Sequence, residues 1–137
     1  MYSTDGELVA TDGHRIHELS YNEAPDKCWF DPKSGNKCSN NGYEFPLYTR
    51  AIPSYYADTP ISITDFKPVE IHQTYETWAL SLPDDKKALF NAQYVCDAFG
   101  KDITMLGPNL EHYDPLGCLK LVSLDGQRRV SLMPMRG

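Results

Sequence analysis

Three Asp-Gly pairs, Asp5-Gly6, Asp12-Gly13 and Asp125-Gly126, each sit between short apolar runs. Glycine accepts the positive φ that a tight hairpin turn demands, so Asp-Gly between alternating runs signals strand, turn, strand. Both ends of the chain are thereby committed to antiparallel strands. Residues 2–20 read as a hairpin, with strands at Glu7–Thr11 and Arg15–Leu19. Cys118–Leu124 and Arg129–Met133 read as a second hairpin around Asp125-Gly126.

The middle of the chain leaves little room for helix. Residues 21–44 hold Pro25, Pro32, Gly35 and Gly42 with Ser and Asn between them, which predicts an irregular loop inserted in the domain. Trp29-Phe30 is an apolar island that would pin this loop to the body. Phe45–Pro60 is too rich in proline for a regular helix, so extended strand and turn are expected. Alternation at Ile61/Ile63 and Trp78/Leu80/Leu82 predicts strands, limited at Pro68 and Pro83. Asp84–Lys87 reads as a polar turn, and Ala88–Phe90 as the lead into a helix over Ala92–Phe99. Asn91 is its expected N-cap and Gly100 its stop; Tyr94, Val95, Ala98 and Phe99 form its apolar face. Ile103–Leu106 reads as a further strand. The expected class is α+β: a strand-dominated antiparallel sheet with one main helix.

Length and composition narrow the function. A chain of 137 residues, 41% hydrophobic and 23% charged, predicts one globular domain over 1–137. No apolar run approaches the roughly 20 residues that span a bilayer, and the first residues do not read as a secretory leader. A cytoplasmic protein without membrane partners is expected. The net charge of −6 argues against tight phosphate binding by one chain, though a ring needs only a locally basic inner face. Four cysteines occur without a C-x-x-C pair. Cys28 and Cys38 flank a polar loop and would pair only if oxidised; Cys96 and Cys118 read as small core residues.

Chemistry-bearing motifs are scarce. There is no G-x-S-x-G, no phosphate-binding glycine loop and no telling carboxylate pair, so no catalytic residue, metal or cofactor is expected. His14, His17 and Glu18 invite a metal-enzyme reading as a minor alternative. On a strand, however, His14 and His17 point to opposite faces. Arg128-Arg129 reads as a solvated turn.

Four segments resemble one known family in its own order. Thr11-Asp12-Gly13-His14-Arg15 is similar to the T-D-G-H-R of the bacterial sliding clamp, the DNA polymerase III beta subunit. Phe45-Pro46-Leu47-Tyr48-Thr49-Arg50-Ala51-Ile52-Pro53 resembles the family's F-P-D-Y-x-R-x-I-P, with Leu47 in place of the Asp. Phe90-Asn91-Ala92-Gln93-Tyr94-Val95-Cys96-Asp97 resembles its F-N-x-x-Y-V-x-D segment, and Met133-Pro134-Met135-Arg136 its closing M-P-M-R, with Gly137 replacing the final Leu. By extension the likeness covers most of the chain from about Ile71 onward. The family carries three domains per chain and closes two chains into a ring. This chain has one domain's length, is expected to lack the strand and helix that open a clamp domain, and shortens the spacing between the first two motifs.

The resemblance implies a DNA-clamp-like fold and a cleft for clamp-interaction peptides of polymerases and other replication and repair proteins. Its implied walls are Thr11, Gly13, His14, Arg15 and Ile16 on one side and Ser131, Leu132, Met133, Pro134, Met135 and Arg136 on the other, extended by Pro53. An apolar floor would bury Leu or Phe anchors, and His14 and Arg15 would donate to peptide carbonyls. Pro134 would leave the strand edge open. Such a chain is expected to meet DNA only if it assembles head to tail into a ring as a homo-oligomer. The alternative is a monomeric clamp mimic or adaptor, of phage or mobile-element origin, that does not encircle DNA. The helix carries no basic residue, which disfavours DNA contact there.

Overall fold

A computed structural model of the chain describes residues 1–4, 6–23, 27–31, 33–34, 36–38, 45, 48–69 and 76–135. Residues 2–20 form a three-stranded meander rather than a single hairpin: β1 (Tyr2–Thr4), β2 (Glu7–Thr11) and β3 (Arg15–Ser20). Two turn glycines explain the extra strand. Gly6 at φ +77 and Gly13 at φ +90 each reverse the chain in a conformation that costs other residues steric strain.

Much of the expected loop at 21–44 lies outside the described residues. Within it, β4 (Cys28–Trp29) pairs with β1, placing Trp29 opposite Tyr2. The Tyr2 ring lies 5.2 Å from Trp29 and stacks on Phe45 at 4.9 Å; Phe45 meets Tyr48 edge-on at 5.7 Å. This aromatic chain ties Trp29 of the expected loop to Tyr2 of β1 and runs on through Phe45 to Tyr48. Tyr48–Ala51 is one turn of 3-10 helix where only strand and turn were expected. A single such turn fits before Pro53 where a longer helix would not.

Among the described residues, the rest alternates short strands with one α-helix. In order they are β5 (Thr59–Ser62), β6 (Phe66–Pro68), β7 (Thr77–Ser81), β8 (Lys87–Asn91), α1 (Ala92–Phe99), β9 (Thr104–Gly107), β10 (Leu119–Val122) and β11 (Arg128–Leu132). Ala88–Phe90 is therefore strand rather than helix approach, and Lys87 belongs to that strand rather than to the turn. Ala88 and Phe90 are buried at 1% exposure each while Lys87 is exposed, the period of two that a one-sided strand requires. The turn into β8 is tight because Asp84 and Asp85 both adopt positive φ. Asn91 then caps α1, its Oδ1 accepting from the Gln93 N–H at 2.9 Å, and the Gly100 N–H closes the other end on the Cys96 carbonyl.

The strands form an eight-stranded antiparallel sheet, β4-β1-β2-β3-β11-β10-β9-β5, and a three-stranded sheet, β6-β7-β8. The core lies between one face of the large sheet, the small sheet and α1. Ile61, Met105, Leu119, Leu121, Val130 and Leu132 come from the large sheet, Phe66, Leu80 and Phe90 from the small one, and Val95, Ala98 and Phe99 from α1. Those helix positions leave Cys96 on the solvent side, so it is not a core residue. No helix among the described residues is long and apolar enough to cross a membrane.

Arg128 and Arg129 lie in β11, not in a solvated turn. Arg128 donates to the Ala98 carbonyl at 2.9 Å and the Phe99 carbonyl at 3.2 Å and pairs with Asp102, placing a cation on the C-terminus of α1 where its dipole is negative. Arg129 pairs with Glu7 across the sheet.

Candidate functional site

The two ends of the chain meet at the pairing of β3 with β11. Their register runs from Arg128 opposite Leu19 to Leu132 opposite Arg15, and the Met133 N–H continues it by donating to the His14 carbonyl at 3.0 Å. Strand parity then sorts the side chains. Arg15, His17, Val130 and Leu132 share the face that carries α1; Ile16, Glu18, Arg129 and Ser131 share the opposite face.

On that opposite face lies a groove of about 640 Å³. One wall is the turn from Thr11 to Ile16; the other is Ser131 and Met133; Tyr48, Ala51 and Cys118 close the third side. The Thr11–Ile16 turn is shaped by its own side chains. The Thr11 hydroxyl donates to the Arg15 carbonyl at 2.8 Å and accepts from the Gly13 N–H at 3.2 Å. The Asp12 carboxylate accepts from the N–H groups of His14 at 2.9 Å and Arg15 at 3.2 Å. These bonds satisfy the turn's backbone donors without a partner strand.

Arg15 lines the groove, and its guanidinium is also engaged on the helix side. Its guanidinium donates to Asp12 at 3.1 Å and to Asp97 of α1 at 2.7 Å, and lies 4.3 Å from the centre of the Tyr94 ring. It therefore fastens the turn to the helix, and the Arg15 hydrogen bond holds the Asp97 carboxyl below its ordinary range. His14 is exposed at the groove with its backbone, not its imidazole, engaged in the turn.

Several other expected cleft residues sit elsewhere. Leu132 is fully buried in the core because it is one residue out of phase with Ser131 and Met133. Met135 leaves the large sheet altogether: its N–H donates to the Leu89 carbonyl at 2.7 Å, and its sulfur accepts from the Thr77 hydroxyl. Pro134 thus marks a crossing between the sheets rather than an open edge, and is half-buried outside the groove lining. Pro53 lines an adjoining hollow of about 730 Å³ with Tyr55, His112 and Tyr113, which meets the first at Ala51 and Cys118. Arg136 lies outside the described residues.

Asp12, Tyr48, Ala51 and Cys118 were missed as lining residues, Asp12 although it stood inside the first matched segment. Tyr48 and Ala51 stood inside the same matched segment as Pro53, and Cys118 shares the strand parity of Lys120 rather than of the core residue Leu119. The segment carrying Tyr48 is held against β10 by Lys120, whose ammonium donates to the Pro53 carbonyl at 3.1 Å over the Tyr55 ring. Burial pushes the Cys118 thiol up to about 11, so it is a neutral wall residue and not a nucleophile at pH 7. His14, His17 and Glu18 do not converge: His17 and Glu18 lie on opposite faces of β3, and no metal-binding group of three appears among the described residues.

No protein-family model and no curated protein sequence matches the chain. Solved structures do. The beta sliding clamp of C. crescentus superposes with a TM-score of 0.59 at 14% identity, over 96% of this chain and 53% of the clamp chain. The DnaN sliding clamp of Bartonella birtlesii, solved bound to griselimycin, gives 0.58 at 17% identity, over 96% and 54%. The chain spans about half the length of these clamps. At such identity the likeness is one of fold, and it agrees with the strand-dominated antiparallel architecture and single helix described above: the chain has the fold of the DNA polymerase III beta sliding clamps.

Proposed function

We propose that this chain is a sliding-clamp-like replication protein that binds short linear peptides in the groove between the Thr11–Ile16 turn and the Ser131/Met133 wall. One observation carries the reading: pairing of β3 with β11 brings the Thr11–Arg15 motif and Met133, the first residue of the last matched motif, to one groove within a single chain. A volume of about 640 Å³ suits one or two apolar anchor side chains. Met133, 54% exposed on the wall, is an adaptable apolar contact, and His14 is the polar side chain best placed to meet a peptide backbone. The test is fluorescence anisotropy with a labelled Gln-Leu-x-Leu-Phe peptide. Binding that weakens in Met133→Ala and His14→Ala supports the reading; absence of binding at high micromolar peptide removes it.

A second reading concerns DNA. α1 exposes Gln93, Cys96 and Asp97 and carries no Lys or Arg, and the whole chain is at −6. This favours an adaptor or mimic that offers the groove without encircling DNA. Sedimentation equilibrium and retention on nicked circular DNA separate the two: a closed oligomer retained on circles would overturn the adaptor reading.

A further inference from the structure

Across the groove face of the large sheet, four side chains form one row: Thr11, Ile16, Ser131 and Lys120, on β2, β3, β11 and β10. Three of them are accounted for. The Thr11 hydroxyl bonds the Arg15 carbonyl and the Gly13 N–H, Ile16 is apolar and buried, and the Lys120 ammonium is taken by the Pro53 carbonyl and the Tyr55 ring. Ser131 is the exception. It is 1% exposed, it lines the groove, and its Oγ is the one buried side-chain polar atom without a hydrogen-bond partner among the described residues.

An orphaned buried hydroxyl is costly, and a strand position facing an apolar groove is served at least as well by Ala or Val. The hydroxyl therefore has a use only if something that enters the groove completes it. We propose that Ser131 sets the ligand preference of this groove: the anchor that packs against β11 carries a hydroxyl or carboxamide, which pairs with the Ser131 Oγ, rather than a purely hydrocarbon side chain. This rests on the peptide-binding reading above. Met133 is two residues on along the same face and lines the same groove, so its adaptable side chain borders the anchor that reaches Ser131.

Three labelled peptides test this: Gln-Leu-Ser-Leu-Phe, Gln-Leu-Ser-Leu-Tyr and Gln-Leu-Ser-Asn-Phe. The second and third each place one hydrogen-bonding group at an anchor. Each is titrated by anisotropy against the wild type, Ser131→Ala and Ser131→Val, the two variants guarding against a folding defect in either. At least one polar-anchored peptide is expected to lose about fivefold in affinity, relative to the Phe-ended parent, in both variants. If the ratio of polar to apolar affinity is the same in the wild type and both variants while the peptides still bind, the Ser131 inference falls and the groove reading stands. If no peptide binds the wild type, both fall.

Discussion

The Arg15 guanidinium sits between two carboxylates, Asp12 of its own turn and Asp97 of α1, at 3.1 and 2.7 Å. This contact spans the sheet: a residue at the start of β3 holds the groove wall to a helix that packs on the other face. Arg15 both lines the groove and ties its turn to α1.

Asp97→Ala should loosen that wall without removing any groove-lining side chain. Both partners are partly exposed, 22% and 41% at the side chain, so the loss of global stability should stay below about 1 kcal/mol. Peptide affinity should fall more than stability does, and Arg15→Ala should match it. The pH sense follows from the depressed Asp97 carboxyl. Its stabilisation is present above the ordinary carboxylate range and is lost as pH falls through the folded-state value. Thermal melts of wild type and Asp97→Ala from pH 7 down to pH 3 should converge at the acid end.

Glu18 has the opposite dependence. It is 8% exposed on the groove face, and burial, reinforced by the neighbouring Glu7, pushes its carboxyl from 4.5 up to about 7, against the pull of Arg129. The unfolded chain releases this proton near 4.5 while the folded chain holds it, so stability is full below 4.5 and declines as pH rises toward 7. Glu18→Gln should flatten that decline. Urea midpoints at pH 4.5 and pH 8 decide it: the variant should gain on the wild type at pH 8, and an equal difference at both values would refute the assignment.

Leu132 and Met133 are chain neighbours with contrasting roles. Leu132 is 0% exposed in the core, so Leu132→Ala should cost about 2–5 kcal/mol by the cavity it leaves. Met133 is 54% exposed, so Met133→Ala should change stability by less than about 1 kcal/mol and act on peptide binding instead. Chemical denaturation read beside anisotropy separates the two effects.

The Asp84-Asp85 turn offers a gain. Both residues adopt positive φ, 61 and 57, the geometry of the hairpin turn that Asn-Gly forms best. Asp84→Asn with Asp85→Gly should raise stability by about 0.5–1 kcal/mol with no change in peptide affinity, measured by the same melts.

Local chemistry was enough to read the turn glycines, the capped helix from Ala92 to Phe99 and the β10–β11 hairpin, because each depends on a few adjacent residues. It failed at Ala88–Phe90, where pairing with β7 overrides a helical approach, and at Arg128, whose partners, the Ala98 and Phe99 carbonyls, are some thirty residues away. The matched segments named most of one wall of the groove from the sequence. Only the tertiary structure decided that β3 pairs with β11 inside one chain, that Leu132 turns inward while Ser131 and Met133 line the groove, and that Arg15 is spent on Asp97. The reason is register. A strand's side chains alternate, so which residue faces a ligand is set by the strand it pairs with, and that pairing is a long-range choice no short motif encodes.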